Sequence, residues 1–153
     1  MNKLALITII LAVMLPVAIW SQCTDCNKSD DKVMKMEKSA TTALPGYNKV
    51  VNLPDGKYFT YNFDKKPKIG TSILQVHVYD KKGRHTDDYE VYVVADMPSM
   101  KGAHASGDVK MRANKKGVLL TPVNFVMPGV WEVELKFVKD GKRLYHAAFE
   151  LKI

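Results

Sequence analysis

"VWEVELKFVKDGKRLYHAAFELKI", residues 130–153, decides how the chain folds. Its first half alternates without a slip. Trp131, Val133, Leu135 and Phe137 fall on one side, and Glu132, Glu134 and Lys136 on the other. Side chains on a strand point to opposite faces in turn, so this period of two predicts a strand with one buried and one wet face. The next residues, "KDGK", place Asp140 and Gly141 where a two-residue hairpin turn needs positive φ twice, which Asp-Gly supplies. "RLYHAAFELKI" then returns as the last strand of an antiparallel pair. In that phase Trp131 is a core anchor, the large ring with the most apolar surface to bury.

Working back toward the N-terminus, the same signals recur. "KYFTYNF" is aromatic and alternating. "TSILQVHVYD" sets Leu74, Val76 and Val78 against Ile73, Gln75, His77 and Tyr79. "KKGRHTDD" is a turn-rich connector, and "YEVYVVAD" is the next strand. "DVKMRA" and "VLLTPVNF" are shorter strands on either side of the turn "NKKG". About seven short strands at regular spacing, with no helical period between them, predict an all-β fold: an immunoglobulin-like β-sandwich. A Cys…Trp…Cys framework is missing, so the domain is not of the antibody type. The sandwich is assigned to residues 50–153.

Residues 22–49 are polar and aperiodic, and read as a linker. Before them, Lys3 precedes residues 4–20, "LALITIILAVMLPVAIW", an uncharged apolar run. A basic start followed by such a run predicts export. The run at residues 1–21 is either a cleaved signal peptide or an uncleaved membrane anchor, and lipidation at Cys23 is a third form of attachment. Each of the three delivers the rest of the chain to the periplasmic or extracytoplasmic side. Cys23 and Cys26, in "CTDC", lie just beyond the run. In an oxidising compartment such a pair closes into a local disulfide. Reduced, its spacing suits one metal ion, which makes Cys23 and Cys26 the weaker metal candidates.

The 153 residues carry 23 Lys and Arg against 16 Asp and Glu, a formal charge of +7. Only Arg84, Arg112 and Arg143 are arginines, and the lysines are scattered. Nucleic-acid binders gather basic residues on one face and lean on Arg. The charge therefore reads as a solvated basic surface, with weak attraction to an anionic bilayer as the second reading.

One connection is unusual. "DMPSMKGAHASGD", residues 96–108, joins two strands yet holds Met97 and Met100 around Pro98, followed by His104. Turns are normally built from Gly, Asn, Asp and Ser. Either the thioethers fold back as a cap on the sandwich, or Met97, Met100 and His104 offer soft ligands to Cu(I). Met111 and Met127 sit in or beside strands and read as packing residues. His77 and His146 fall within strands and read as ordinary polar strand positions. The chain lacks a serine elbow, a GxGxxG, an HExxH and a cysteine paired by context with a histidine, so the sequence predicts no enzyme.

These pieces together resemble a family. Asp80, Lys81, Lys82 and Gly83 form a D-x-x-G turn, and Met97 to Met100 read "MPSM". Gly117 leads a strand, and Phe125, Met127, Gly129 and Trp131 give F-x-M-x-G-x-W. The pattern covers about the last hundred residues and resembles the YtkA-like and FixH-like extracytoplasmic domains. The resemblance implies a small β-sandwich behind a signal or membrane segment. It also implies a copper role in support of cation transport or oxidase assembly. Many relatives place His-Gly directly after the second Met, whereas Lys101, Gly102 and Ala103 precede His104 here. The alternative is a non-enzymatic structural or interaction domain that braces a membrane or envelope complex.

Overall fold

The computed structural model describes residues 41–153. The signal or anchor, most of the linker, and Cys23 and Cys26 lie outside them. Two five-stranded sheets face each other. The strands are β1 (Thr42–Ala43), β2 (Val51–Asn52), β3 (Tyr58–Phe63), β4 (Gly70–Tyr79) and β5 (Glu90–Asp96). They continue as β6 (Val109–Lys110), β7 (Arg112–Ala113), β8 (Leu119–Phe125), β9 (Val130–Lys139) and β10 (Lys142–Lys152). One sheet runs β1-β10-β9-β5-β6 and the other β2-β3-β4-β8-β7.

The β9–β10 hairpin forms as its sequence requires. Asp140 and Gly141 both take left-handed φ, at 51° and 72°, so the turn twists in the same sense as the strands it joins. Trp131 and Leu151 pair at one end of the ladder, and Lys139 and Lys142 at the other. The alternation of β9 is buried as read: Trp131 is 1% exposed, and Val133, Leu135 and Phe137 are fully covered.

The core lies between the two inner faces. Leu74, Val76 and Val78 of β4 meet Val91, Val93 and Ala95 of β5 and the β9 row. Rings bind the sheets together: Phe59 packs on Phe137 at 4.5 Å between centroids, and Tyr61 on Phe149 at 4.6 Å. Phe125 meets Trp131 edge-on at 5.3 Å and 79°. Such contacts add roughly 0.5–1.5 kcal/mol each beyond the area they bury.

Three details go beyond the sequence reading. Thr42 and Ala43, inside the stretch read as linker, form a parallel edge strand on Ala147 and Ala148. Tyr47 then packs edge-on against Tyr61, Phe63 and Phe149. The Tyr61 hydroxyl donates to the Pro45 carbonyl, and burial pushes its pKa up to about 12. "DVKMRA" divides: Val109–Lys110 joins one sheet, Arg112–Ala113 joins the other, and Met111 between them is buried. Pro122 sits in β8 beyond the two residues that β7 covers, where no ladder donor is required of it.

Candidate functional site

The Met loop grows from the end of β5, where Asp96 lies opposite Glu132. The Asp96 carboxylate staples it. Oδ1 accepts the Met97 N–H at 2.8 Å and Oδ2 the Gly102 N–H at 2.8 Å. Pro98 opens a single 3₁₀ turn, Pro98–Met100, a position where its fixed φ fits and its missing N–H costs nothing. The Met100 N–H donates to the Met97 carbonyl at 2.9 Å and the Ala103 N–H to the Met100 carbonyl at 3.0 Å. Farther on, Ser106 returns the chain to β5. Its N–H donates to the Ala95 carbonyl at 3.0 Å, and its Oγ accepts the Ala95 N–H at 3.0 Å. The loop is thus hydrogen-bonded along its length.

This geometry separates the two thioethers. Met97 is 3% exposed and belongs to the core, whereas Met100 is 38% exposed. The Met97 Cε stands 2.5 Å from where a Cβ on Gly129 would be, so glycine there makes room for the methyl. Met127 is half-buried against the core, and its carbonyl accepts the Trp131 indole N–H at 3.1 Å. His104, half-buried, tilts over Trp131 at 6.5 Å between centroids. The loop therefore supplies one interior sulfur, one sulfur at the surface, and an imidazole above the core tryptophan.

The same end of the sandwich carries more apolar surface. Ile69 leads into Gly70, which pairs with Phe125, and Val126 follows Phe125. Val130 begins β9 opposite Lys152. Among the described residues, Ile69, Met100, Val126 and Val130 are four of the seven large apolar side chains that stand exposed. Leu144, another of them, lies at the opposite, hairpin end.

The remaining histidines divide. His146 is engaged, with Nε2 3.1 Å from Glu134 Oε2 and Nδ1 3.3 Å from Thr41 Oγ1. His77, read from the sequence as an ordinary polar strand position, and His85, in the turn-rich connector, lie 5.7 Å apart between ring centroids. The signal that could have joined them is the D-x-x-G turn, which folds residue 85 back beside β4. No group of three or more His, Cys, Asp or Glu side chains converges among the described residues.

A comparison with curated proteins returns no match. The YtkA-like family model matches residues 55–136, from the turn before β3 to the middle of β9. That span takes in the D-x-x-G turn, the Met loop and the Trp131 beneath it, over more than half of the 153 residues, and on it the chain belongs to the YtkA-like family.

Proposed function

We propose that this is an exported, non-catalytic interaction module that docks the Met-loop end of its sandwich on an extracytoplasmic segment of a membrane or envelope protein. The observation that carries the reading is the gathering of Ile69, Met100, Val126 and Val130 at one end. Exposed apolar side chains scattered singly need no explanation, but their concentration at one rigid end marks a contact surface. The apolar run at residues 4–20, whether signal or anchor, delivers the domain to the side of the membrane where such a partner is found. A photo-cross-linking residue at Val126 or Val130 should capture one discrete envelope protein in cells, and the same probe at Leu144 should not. Equal labelling from both ends, or none from either, would sink the reading.

A second reading rests on Met100 and His104, which keep a soft sulfur and an imidazole accessible on the same stapled loop. Thioethers and imidazole suit Cu(I) in an oxidising compartment. This is the copper role that the YtkA-like and FixH-like resemblance implies. In a Cys23→Ser/Cys26→Ser background, Met100→Leu should then weaken Cu(I) binding in a competition assay under reducing conditions. Equal binding by both proteins would leave the loop without a role in copper handling.

A further inference from the structure

The pairing of His77 and His85 is built rather than incidental. His77 points outward from β4, half-buried on the outer face of its sheet. Three residues later the chain reverses at Asp80, whose N–H donates to the Arg84 carbonyl at 2.8 Å. The Asp80 carboxylate holds the reversal. Its Oδ1 accepts the Lys82 and Arg84 N–H groups at 2.8 and 2.9 Å, and its Oδ2 takes the Arg84 Nε at 3.0 Å. These bonds, the Arg84 N–H first among them, hold the Asp80 carboxyl below the usual carboxylate range. The returning chain then sets His85 directly opposite Tyr79, and the Thr86 N–H donates to the Val78 carbonyl at 3.1 Å. On its other side His85 is backed by the Gly117 turn, where a Cβ would lie 3.2 Å from the histidine's own.

The two imidazoles therefore meet on a rigid sheet face, 5.7 Å apart between centroids and inclined at 45°. A metal–imidazole bond of about 2.0–2.1 Å, extended by a ring radius of roughly 1.2 Å, puts two rings on one ion about 4.5–6.5 Å apart, from cis to trans ligation. The observed spacing falls in that range. Among the described residues neither ring makes a hydrogen bond; the aromatic rings beside them are each other and Tyr79, which lies 4.6 Å from His85 and 6.4 Å from His77. We propose that His77 and His85 form a two-imidazole site for a late first-row divalent cation, with Cu²⁺ bound most tightly. Imidazole suits Cu²⁺, Zn²⁺ and Ni²⁺, and affinity across that series peaks at copper. With only two protein ligands the remaining positions stay open to water, so the bound ion exchanges readily. The site is separate from the Met loop: it lies on the outer face of the other sheet and uses harder nitrogen ligands in place of thioethers.

The test uses the full chain in a Cys23→Ser/Cys26→Ser background, because reduced "CTDC" would capture copper itself. Cu²⁺ is added at neutral pH and its electron paramagnetic resonance recorded. The expected spectrum shows coupling to two imidazole nitrogens, and its absence in the otherwise unaltered protein would overturn the proposal without need of any histidine variant. Competition against a chelator of known affinity gives the second readout. His77→Gln and His85→Gln should each weaken Cu²⁺ binding at least about tenfold, the scale that even outer-shell partners of a metal contribute. His104→Gln, His146→Gln and Met100→Leu should bind as the parent does. Circular dichroism melts establish that each variant is folded. Wild-type affinity in folded His77→Gln and His85→Gln proteins would reduce the pair to an aromatic contact beside Tyr79.

Discussion

Trp131→Ala should destabilise the domain by about 3–5 kcal/mol, the range found when a large aromatic is truncated in a packed core. Three losses add up at this position. The indole is 1% exposed, so its removal opens a cavity between the sheets that neighbouring strands cannot close. It forfeits the edge-on contact with Phe125 at 5.3 Å, and it leaves the Met127 carbonyl without the indole N–H that it accepts at 3.1 Å. Single domains are stable by only about 5–15 kcal/mol, so a loss of this size brings the protein near its unfolding threshold. Urea denaturation followed by circular dichroism reads it as a fall in midpoint at unchanged slope. Trp131→Phe keeps most of the apolar area and loses the donor, so it should fall between wild type and Trp131→Ala. A midpoint unmoved by the alanine change would mean that β9 presents its other face to the core.

That prediction follows from the sequence as directly as from the structure, because β9 announces its phase. Where a strand has one wet face, a shift of one residue would expose Trp131, Val133, Leu135 and Phe137 together, and the register is correspondingly well determined. β4 and β5 are legible for the same reason. What escaped the sequence is of two kinds. Two-residue strands such as Thr42–Ala43 have no period to read, and they exist only because the long edge of β10 offers open ladder groups. Pairs of residues brought together by a turn escape as well. His77 and His85 meet only because the Asp80 carboxylate closes a specific reversal, and composition alone does not fix where the returning chain lands. The Met loop is an intermediate case. Val91, Val93 and Ala95 are inward positions of β5, and the same count continues to Met97, one residue past the strand. Extending the alternation beyond Asp96 would have placed the first methionine inside. The composition of "DMPSM" left both readings open, a cap of two thioethers on the sandwich or a pair of soft ligands.

Met97→Ala and Met100→Ala should therefore differ sharply, although the two residues stand in one short loop. Met97 is 3% exposed and fills the space above Gly129, so its truncation should cost about 2–5 kcal/mol, as for buried methionine elsewhere. Met100 is 38% exposed on the outer side of the 3₁₀ turn, and surface changes of that kind usually fall within about 0.5 kcal/mol. Met97→Leu conserves volume and should recover most of the loss, since such exchanges cost under about 1.5 kcal/mol when the role is packing. Equal, small effects from both alanine variants would show that the loop leaves the core open and that its sulfurs are presented as a pair. A large effect confined to Met97 would assign that residue to the floor of the sandwich. Any soft-metal affinity at this end would then have to come from Met100 and His104, with no second thioether at the surface of the loop.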